Sequence, residues 1–158
     1  MSKVHSVTQK TGKIILPPTY LLISLAVMIA LHFAFPVRAI IPSPWNLLGS
    51  FPLMLGIAIN IVADNIFRKV NTSVKPHEES SILVTESVFG LSRNPMYLGF
   101  VLILTGVAAV LGSLTPFVVI PVFIALMNVV FIRVEEQMLA EKFDRDWLEY
   151  TRQVRRWI

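Results

Sequence analysis

Two short groups of ionisable residues stand at the edges of long apolar runs and have the types and order needed to bind a charged small molecule. In the first group, Arg93 and Asn94 precede Pro95 and an apolar run. Asparagine is a common helix N-cap and proline suits the first helical turn, so a helix is predicted to begin here. A helix N-terminus is partly positive and the Arg93 guanidinium adds a forked set of donors, so this end suits a carboxylate or a phosphate.

The second group is the acidic pair Glu135 and Glu136, which closely follows the last apolar run. If the last two runs form a helical hairpin, this pair lies near Arg93. A cationic end beside an acidic end matches a zwitterion, with its carboxylate at the arginine and its ammonium at the glutamates. Two plainer alternatives remain. One is a capped helix whose arginine reaches a lipid headgroup, and the other is an ordinary ion pair of a glutamate with Arg93 or Arg133.

The composition indicates that these groups belong to a membrane protein. Hydrophobic residues make up 54% of the chain and charged residues 15%, with a mean hydropathy of +0.67, whereas roughly a quarter of a soluble domain is charged. The chain has no cysteine, which excludes disulfides, thiol nucleophiles and thiolate metal sites. The alternative, buried helices of a soluble core, does not explain how the charges are distributed along the chain.

Four apolar stretches are long enough to cross the hydrocarbon layer, which takes roughly 17–25 helical residues. They are predicted at residues 16–35, 45–67, 95–111 and 115–132. Because only the few residues around Gly112 separate the last two stretches, we expect these to form a tight hairpin. The predicted fold class is therefore all-α, an integral membrane protein with a single membrane domain of four transmembrane helices.

Lysine and arginine positions indicate the orientation, because cytoplasmic loops carry an excess of both. Thirteen of the fourteen lie in the N-terminal tail, in a polar connector at 68–94 or in a tail at 133–158, and Arg38 is the exception. The sequence therefore predicts a multi-pass protein with both termini and the site facing the cytoplasm. The first apolar run lacks a small-residue cleavage site at its end, so we expect a retained anchor.

The tail at 133–158 is charged but periodic. Six apolar residues recur in it at intervals of three or four: Leu139, Phe143, Trp147, Tyr150, Val154 and Trp157. This stripe predicts an amphipathic C-terminal helix. Such a helix either lies on the membrane surface or folds back to cover a site, and the stripe is compatible with both.

Other polar residues lie inside the predicted spans. Asn60 and Asp64 share one face of the second span and Asn128 lies in the fourth, so they either line a polar cavity or hydrogen-bond between helices. The three histidines have no other histidine or carboxylate at ligand spacing, so no metal site is expected: His5, His32 and His77.

Several common site motifs are missing from the chain. It contains no Gly-x-Gly-x-x-Gly fingerprint, no Walker loop and no Gly-x-Ser-x-Gly elbow. The arginines stand at membrane edges instead of alternating with aromatic residues, so no nucleic-acid partner is expected.

Two motifs in this order resemble the isoprenylcysteine carboxyl methyltransferase and phospholipid methyltransferase family of integral membrane enzymes. The first motif is matched by Arg93, Asn94, Pro95, Tyr97 and Gly99. The second motif is matched by Glu135, Glu136, Leu139, Phe143, Trp147 and Tyr150. The resemblance covers residues 72–157, and the first two spans match only as membrane helices.

The resemblance implies an S-adenosylmethionine-dependent methyltransferase with a lipophilic or lipid acceptor and no metal. It implies a cofactor site, which together with the zwitterion argument includes Phe89, Arg93, Asn94, Pro95, Met96, Tyr97, Glu135 and Glu136. The C-terminal helix would then cover the cofactor. An amine acceptor must lose a proton, for which Glu135 or Glu136 are the candidate catalytic residues, and Arg133 is a candidate for orienting an anionic headgroup.

The chain also departs from the family pattern. Relatives usually read Gly-Pro-aromatic-Arg where this chain has Ser87, Val88, Phe89 and Gly90, and Asp144 replaces a usual glycine. The alternative to an enzyme is a membrane scaffold or a small-solute transporter. A transporter would need polar groups at mid-span, and this chain has few.

Overall fold

The computed structural model describes residues 16–35, 37–69 and 82–158. Several predictions fall on the other residues. They concern the N-terminal lysines Lys3, Lys10 and Lys13, the histidines His5 and His77, and the middle of the connector at 68–94.

Helices make up most of the described chain. The five α-helices are α1 (Pro17–Ala34), α2 (Ser50–Lys69), α3 (Pro95–Leu111), α4 (Val119–Met127) and α5 (Arg133–Gln153). Single turns of 3₁₀-helix precede three of them, at Trp45–Gly49, Ser87–Gly90 and Thr115–Val118, and a π-helical turn at Asn128–Ile132 joins α4 to α5. Among the described residues there is one isolated bridge, between Ala39 and Ser113, and no strand. The all-α fold class is confirmed.

In the part of the chain that the structure describes, three helical segments are long and apolar enough to cross a membrane: Pro17–Ala34, Trp45–Lys69 and Thr115–Gln153. α3 is a shorter apolar helix of 17 residues. The fold is therefore compatible with an integral membrane protein. The C-terminal helix begins at residue 133, as predicted, but no break separates it from the fourth apolar helix. The π-turn continues α4 directly into α5, which ends at Gln153 and not at residue 158.

α3 is the central helix, and its two sides pack differently. One side contributes Tyr97, Phe100 and Leu104 to a core shared with α1, α4 and the π-turn. The other side lies against α2 and the 3₁₀ turn before it at two pairs of glycines, Gly56 with Gly99 and Gly49 with Gly106. A Cβ added to Gly56 would stand 2.4 Å from the Gly99 carbonyl oxygen, and one added to Gly106 would stand 2.6 Å from the Gly49 carbonyl oxygen. The two backbones are thus nearly in contact, the packing that small residues permit between membrane helices.

Gly112 ends α3 in the left-handed conformation (φ 73°), and its N–H donates to the Ala108 carbonyl. This is a common helix ending because glycine adopts positive φ without steric cost. The chain then turns into the 3₁₀-helix that precedes α4. Near this turn His32 of α1 hydrogen-bonds the buried Ser113 hydroxyl at 2.7 Å. α3 thus ends at Leu111, directly before Gly112.

Ser87 and Asp144 adopt backbone angles that favour glycine. Asp144 has φ 36° and ψ −101° and breaks α5 internally, and Ser87 has φ 58° at the start of its 3₁₀-helix. A side chain at such angles crowds the backbone, which costs about 1–3 kcal/mol per residue. The backbone at both positions is therefore strained.

The Asp144→Gly variant is expected to be more stable than the wild type by about 1 kcal/mol, because the relieved strain exceeds the entropy that glycine loses on folding. Thermal unfolding in detergent measures this as a higher Tm. Asp146→Gly is the matched control. Asp146 is exposed and helical, so glycine there is expected to lower stability by about 1 kcal/mol. A lower Tm for both variants would contradict the strain at Asp144.

Candidate functional site

A cluster of two arginines and one glutamate joins the start of α3 to the start of α5. Arg93 Nη2 lies 3.5 Å from Glu136 Oε1. The Arg156 guanidinium pairs with both oxygens of the same carboxylate, with its Nε 3.1 Å from Oε1. The Arg93 and Glu136 side chains are only 14% and 13% exposed. The two groups singled out in the sequence therefore meet, and they meet away from bulk water, where charge pairing is stronger.

Aromatic residues of α5 hold the other side of Arg93. Its guanidinium carbon lies 5.5 Å from the centre of the Trp147 ring, within the range of a cation–π contact. The neighbouring Tyr150 donates its hydroxyl to the Phe89 carbonyl at 2.6 Å. Burial raises the pKa of Tyr150 to about 12, against a smaller lowering by Arg93. The apolar stripe of α5 thus packs against the chain before α3, where Tyr150 hydrogen-bonds the backbone of the buried Phe89.

The start of α3 lies where the sequence predicts, but its cap differs. α3 begins at Pro95, with Asn94 at the N-cap position. The Asn94 side chain does not hydrogen-bond back to its own helix. Its Nδ2 donates to the Arg156 carbonyl at 3.2 Å, and its backbone N–H donates to Ser92 Oγ at 3.1 Å. Asn94 is therefore the N-cap residue, as predicted, but the first-turn N–H groups of α3 lack its side chain as a partner.

Glu135 lies apart from Glu136 and faces the core. Its Oε1 accepts a hydrogen bond from the Tyr97 hydroxyl at 2.7 Å. Burial raises the pKa of Glu135, the Tyr97 hydrogen bond lowers it, and the charge of Glu136 raises it again, with a net increase. The acidic pair therefore splits into a carboxylate that pairs with arginines and a carboxyl that holds its proton more tightly than usual.

The raised pKa of Glu135 predicts a pH dependence of stability. Because the folded state favours the protonated form, this contribution is fully present below the ordinary value of 4.5 and is lost as pH rises through the folded pKa. We expect the Tm difference between wild type and Glu135→Gln to change in the direction that disfavours the wild type as pH rises. Thermal unfolding in detergent, measured from below pH 4.5 upwards, gives this Tm difference. Glu149→Gln, on the exposed surface, is the control. Parallel profiles for wild type and Glu135→Gln would contradict it.

The π-turn before α5 helps to direct Glu135 and Glu136 to different partners. A π-turn holds one residue more than an α-turn, so it rotates everything that follows it relative to α4. Phe131 in this turn is fully buried and stacks on Tyr97 with ring centres 6.2 Å apart. Through this contact and the Glu135 hydrogen bond, the turn is anchored to the first turn of α3.

The polar residues of the predicted spans do not join the site. Asn60 and Asn128 each donate to the carbonyl four residues earlier in their own helix, and Asp64 pairs with Arg68 one turn later. The hypothesis of hydrogen bonds between helices is therefore wrong for these contacts. The Asn60 and Asn128 side-chain oxygens are buried without a partner.

The other predicted residues are placed as follows. Met96 is half-buried in the first turn of α3, and Arg133 is exposed at the first position of α5. Arg156 was missed by the sequence reasoning, which counted it only among the basic residues of the tail. Its position three residues after the end of α5 carries no local signal for an ion pair with Glu136. Within the described ranges no group of three histidine or acidic residues is placed to hold a metal.

The family model described as phospholipid methyltransferase matches residues 45–146, well over half of the chain. The matched range includes the start of α3 and the acidic pair and ends before Trp147 and Arg156. No curated protein and no solved structure matches the chain.

Proposed function

Because the chain belongs to the phospholipid methyltransferase family, we propose that it is an S-adenosylmethionine-dependent membrane methyltransferase acting on a lipophilic or membrane-embedded acceptor. The observation that carries this proposal is the meeting of Arg93 and Glu136 at the first turn of α3. The methionine end of S-adenosylmethionine carries a carboxylate and an ammonium, so it needs a cationic and an anionic partner side by side. Arg93 and Glu136 supply both.

The residues at the site fit the cofactor. Arg93 Nε is buried without a partner, so this guanidinium retains an unused donor. The Asn94 side chain leaves the first turn of α3 uncapped, so its N–H groups and helix dipole also favour an anion. Arg93 and this helix end would hold the carboxylate of the cofactor, and Glu136 its ammonium. Phe89 and Met96, on either side of Arg93 in the chain, would contact the remainder.

When bound, S-adenosylmethionine supplies an electrophilic sulfonium methyl. The protein's part is to hold the acceptor close to that methyl group, aligned and free of water, and such positioning contributes several kcal/mol, up to about 7–11. A carboxylate acceptor needs no base. An amine acceptor must lose a proton, and Glu135 is our candidate base because a carboxyl with a raised pKa binds a proton more strongly.

The proposed orientation places both termini and the site at the cytoplasmic face, as the distribution of basic residues predicts. The acceptor's apolar part would then remain in the bilayer and its polar head would enter the site at the membrane edge. Arg133 is exposed where α5 begins, beside Glu135 in the chain. We assign it the role of orienting an anionic headgroup.

Two measurements test the proposal. A ligand that binds the native state raises its stability, by about 2.7 kcal/mol at a hundred times its Kd, so S-adenosylhomocysteine is expected to raise the Tm of the protein in detergent. Incubation with a methyl-labelled donor and lipid extracts is expected to label a lipid. No Tm shift and no labelled lipid would contradict the proposal and favour a scaffold or a transporter.

A further inference from the structure

The last five residues form a segment that lies directly over the proposed site. α5 ends at Gln153, and Val154 turns into extended backbone (φ −120°, ψ 131°). This terminal segment (residues 154–158) then runs beside the chain before α3. The Arg93 N–H donates to the Arg155 carbonyl at 3.0 Å, and both the Ser92 hydroxyl and the Asn94 side chain donate to the Arg156 carbonyl at 3.2 Å.

Arg156 engages both halves of the proposed zwitterion site at once. Its carbonyl oxygen accepts hydrogen bonds from Ser92 and the Asn94 side chain, beside Arg93 and the first turn of α3, where the cofactor's carboxylate is proposed to bind. Its guanidinium pairs with both oxygens of Glu136, where the ammonium is proposed to bind. One residue thus places an acceptor oxygen at one end of the proposed site and a cation at the other.

The same contacts limit what else can bind. Glu136 Oε1 is shared by Arg93 and Arg156, and Oε2 accepts from Arg156. A ligand ammonium must therefore compete with the Arg156 guanidinium for this carboxylate. The competition is feasible because the Arg156 side chain is 40% exposed, whereas Glu136 is only 13% exposed. Water can solvate the arginine when it leaves, but the glutamate needs a new cation.

We propose that the terminal segment is an internal competitor of the cofactor, with Arg156 as a substitute for the cofactor's amino-acid end. Binding of the cofactor displaces the Arg156 guanidinium from Glu136 and its carbonyl from Ser92 and Asn94, and the segment moves away from the start of α3. This inference rests on the proposed function. It goes beyond that function by making the apparent affinity depend on the fraction of molecules in which the segment is released.

The first test is an affinity measurement by calorimetry in detergent. If the segment is released in about a tenth of the wild-type molecules, Arg156→Gln is expected to bind S-adenosylhomocysteine roughly tenfold more tightly, because the competitor is weakened. Arg155→Gln is the matched control, since it removes the same charge from an exposed neighbour and keeps the backbone contacts. Methylthioadenosine, which lacks the amino-acid end, is expected to bind wild type and Arg156→Gln equally.

The second test observes the segment itself. The chain has no cysteine, and Ile158 is 78% exposed, so Ile158→Cys provides a single site for a spin label. The label is expected to be restrained in the ligand-free protein and to become mobile when S-adenosylhomocysteine is added. Arg156→Gln in the same background is expected to mobilise it without any ligand.

The outcomes separate the two proposals. Two outcomes would overturn the competition and leave the proposed function intact. In one, S-adenosylhomocysteine binds but the mobility of the spin label does not change. In the other, Arg156→Gln binds S-adenosylhomocysteine more weakly than wild type does. If neither wild type nor Arg156→Gln binds S-adenosylhomocysteine, both the proposed function and the competition are overturned. Tighter binding in Arg156→Gln together with a ligand-released label supports both.

Discussion

Glu136→Gln is expected to weaken S-adenosylhomocysteine binding by about 30-fold, which corresponds to the roughly 2 kcal/mol of a hydrogen bond to a charged group. The carboxylate is the proposed partner of the ligand's ammonium, and a glutamine amide offers only a neutral acceptor. The loss is expected although the substitution also frees Arg156, because the site loses its anion. Calorimetry in detergent measures the change, and Glu149→Gln, exposed on the same helix, is the control.

The variant also removes a partner from Arg93, whose side chain is 14% exposed. A buried charge without its partner destabilises a protein, so the Tm of each variant is measured beside its affinity. Arg93→Ala is expected to weaken binding strongly too, while Glu136 retains Arg156 as its partner. Unchanged affinity in both folded variants would refute the site.

Gly56→Ala is expected to destabilise the protein by about 3 kcal/mol, the upper part of the range for overpacking a tight interface. The new Cβ would stand 2.4 Å from the Gly99 carbonyl oxygen and 2.9 Å from the Ile103 backbone nitrogen. Because both atoms belong to the backbone of α3, no side-chain rotation relieves the contact and the two helices must separate. Thermal unfolding in detergent measures the loss as a lower Tm.

Gly90→Ala is the matched control for this prediction. Its Cβ would meet only the Thr85 carbonyl oxygen, at 3.6 Å, an ordinary contact distance. The same chemical change is therefore expected to leave stability nearly unchanged there. Equal Tm values for Gly56→Ala and wild type would show that the close approach of α2 and α3 does not contribute to stability.

Much of the fold is predictable from hydropathy and from helix-start residues. Long apolar runs have few stable alternatives to helices, because each backbone polar group must find a partner within the chain. Pro95 and Gly112 mark the ends of α3 correctly, since each residue has a strong local preference at its position. The junction at residue 132 is a continuous π-turn instead of a break, because the periodic tail continues the fourth helix and no local residue signals a stop.

The candidate site, too, is predictable from the sequence only in part. The residue types at Arg93, Asn94, Glu135 and Glu136 already indicate a pair of opposite charges at neighbouring helix ends. Their separate roles depend on rotation about the helix axis. The π-turn and the packing of Phe131 on Tyr97 direct Glu135 towards the core and leave Glu136 for the arginines.

Local sequence thus determined which segments are helical, where α3 begins and ends, and which charged groups stand at the helix ends, because these depend on near neighbours and on hydropathy. The tertiary structure alone decided that Arg156 pairs with Glu136, that Asn94 bonds the terminal segment instead of capping its helix, and that four glycines bring α2 against α3. These contacts join residues far apart in the chain, so they exist only once the helices have packed.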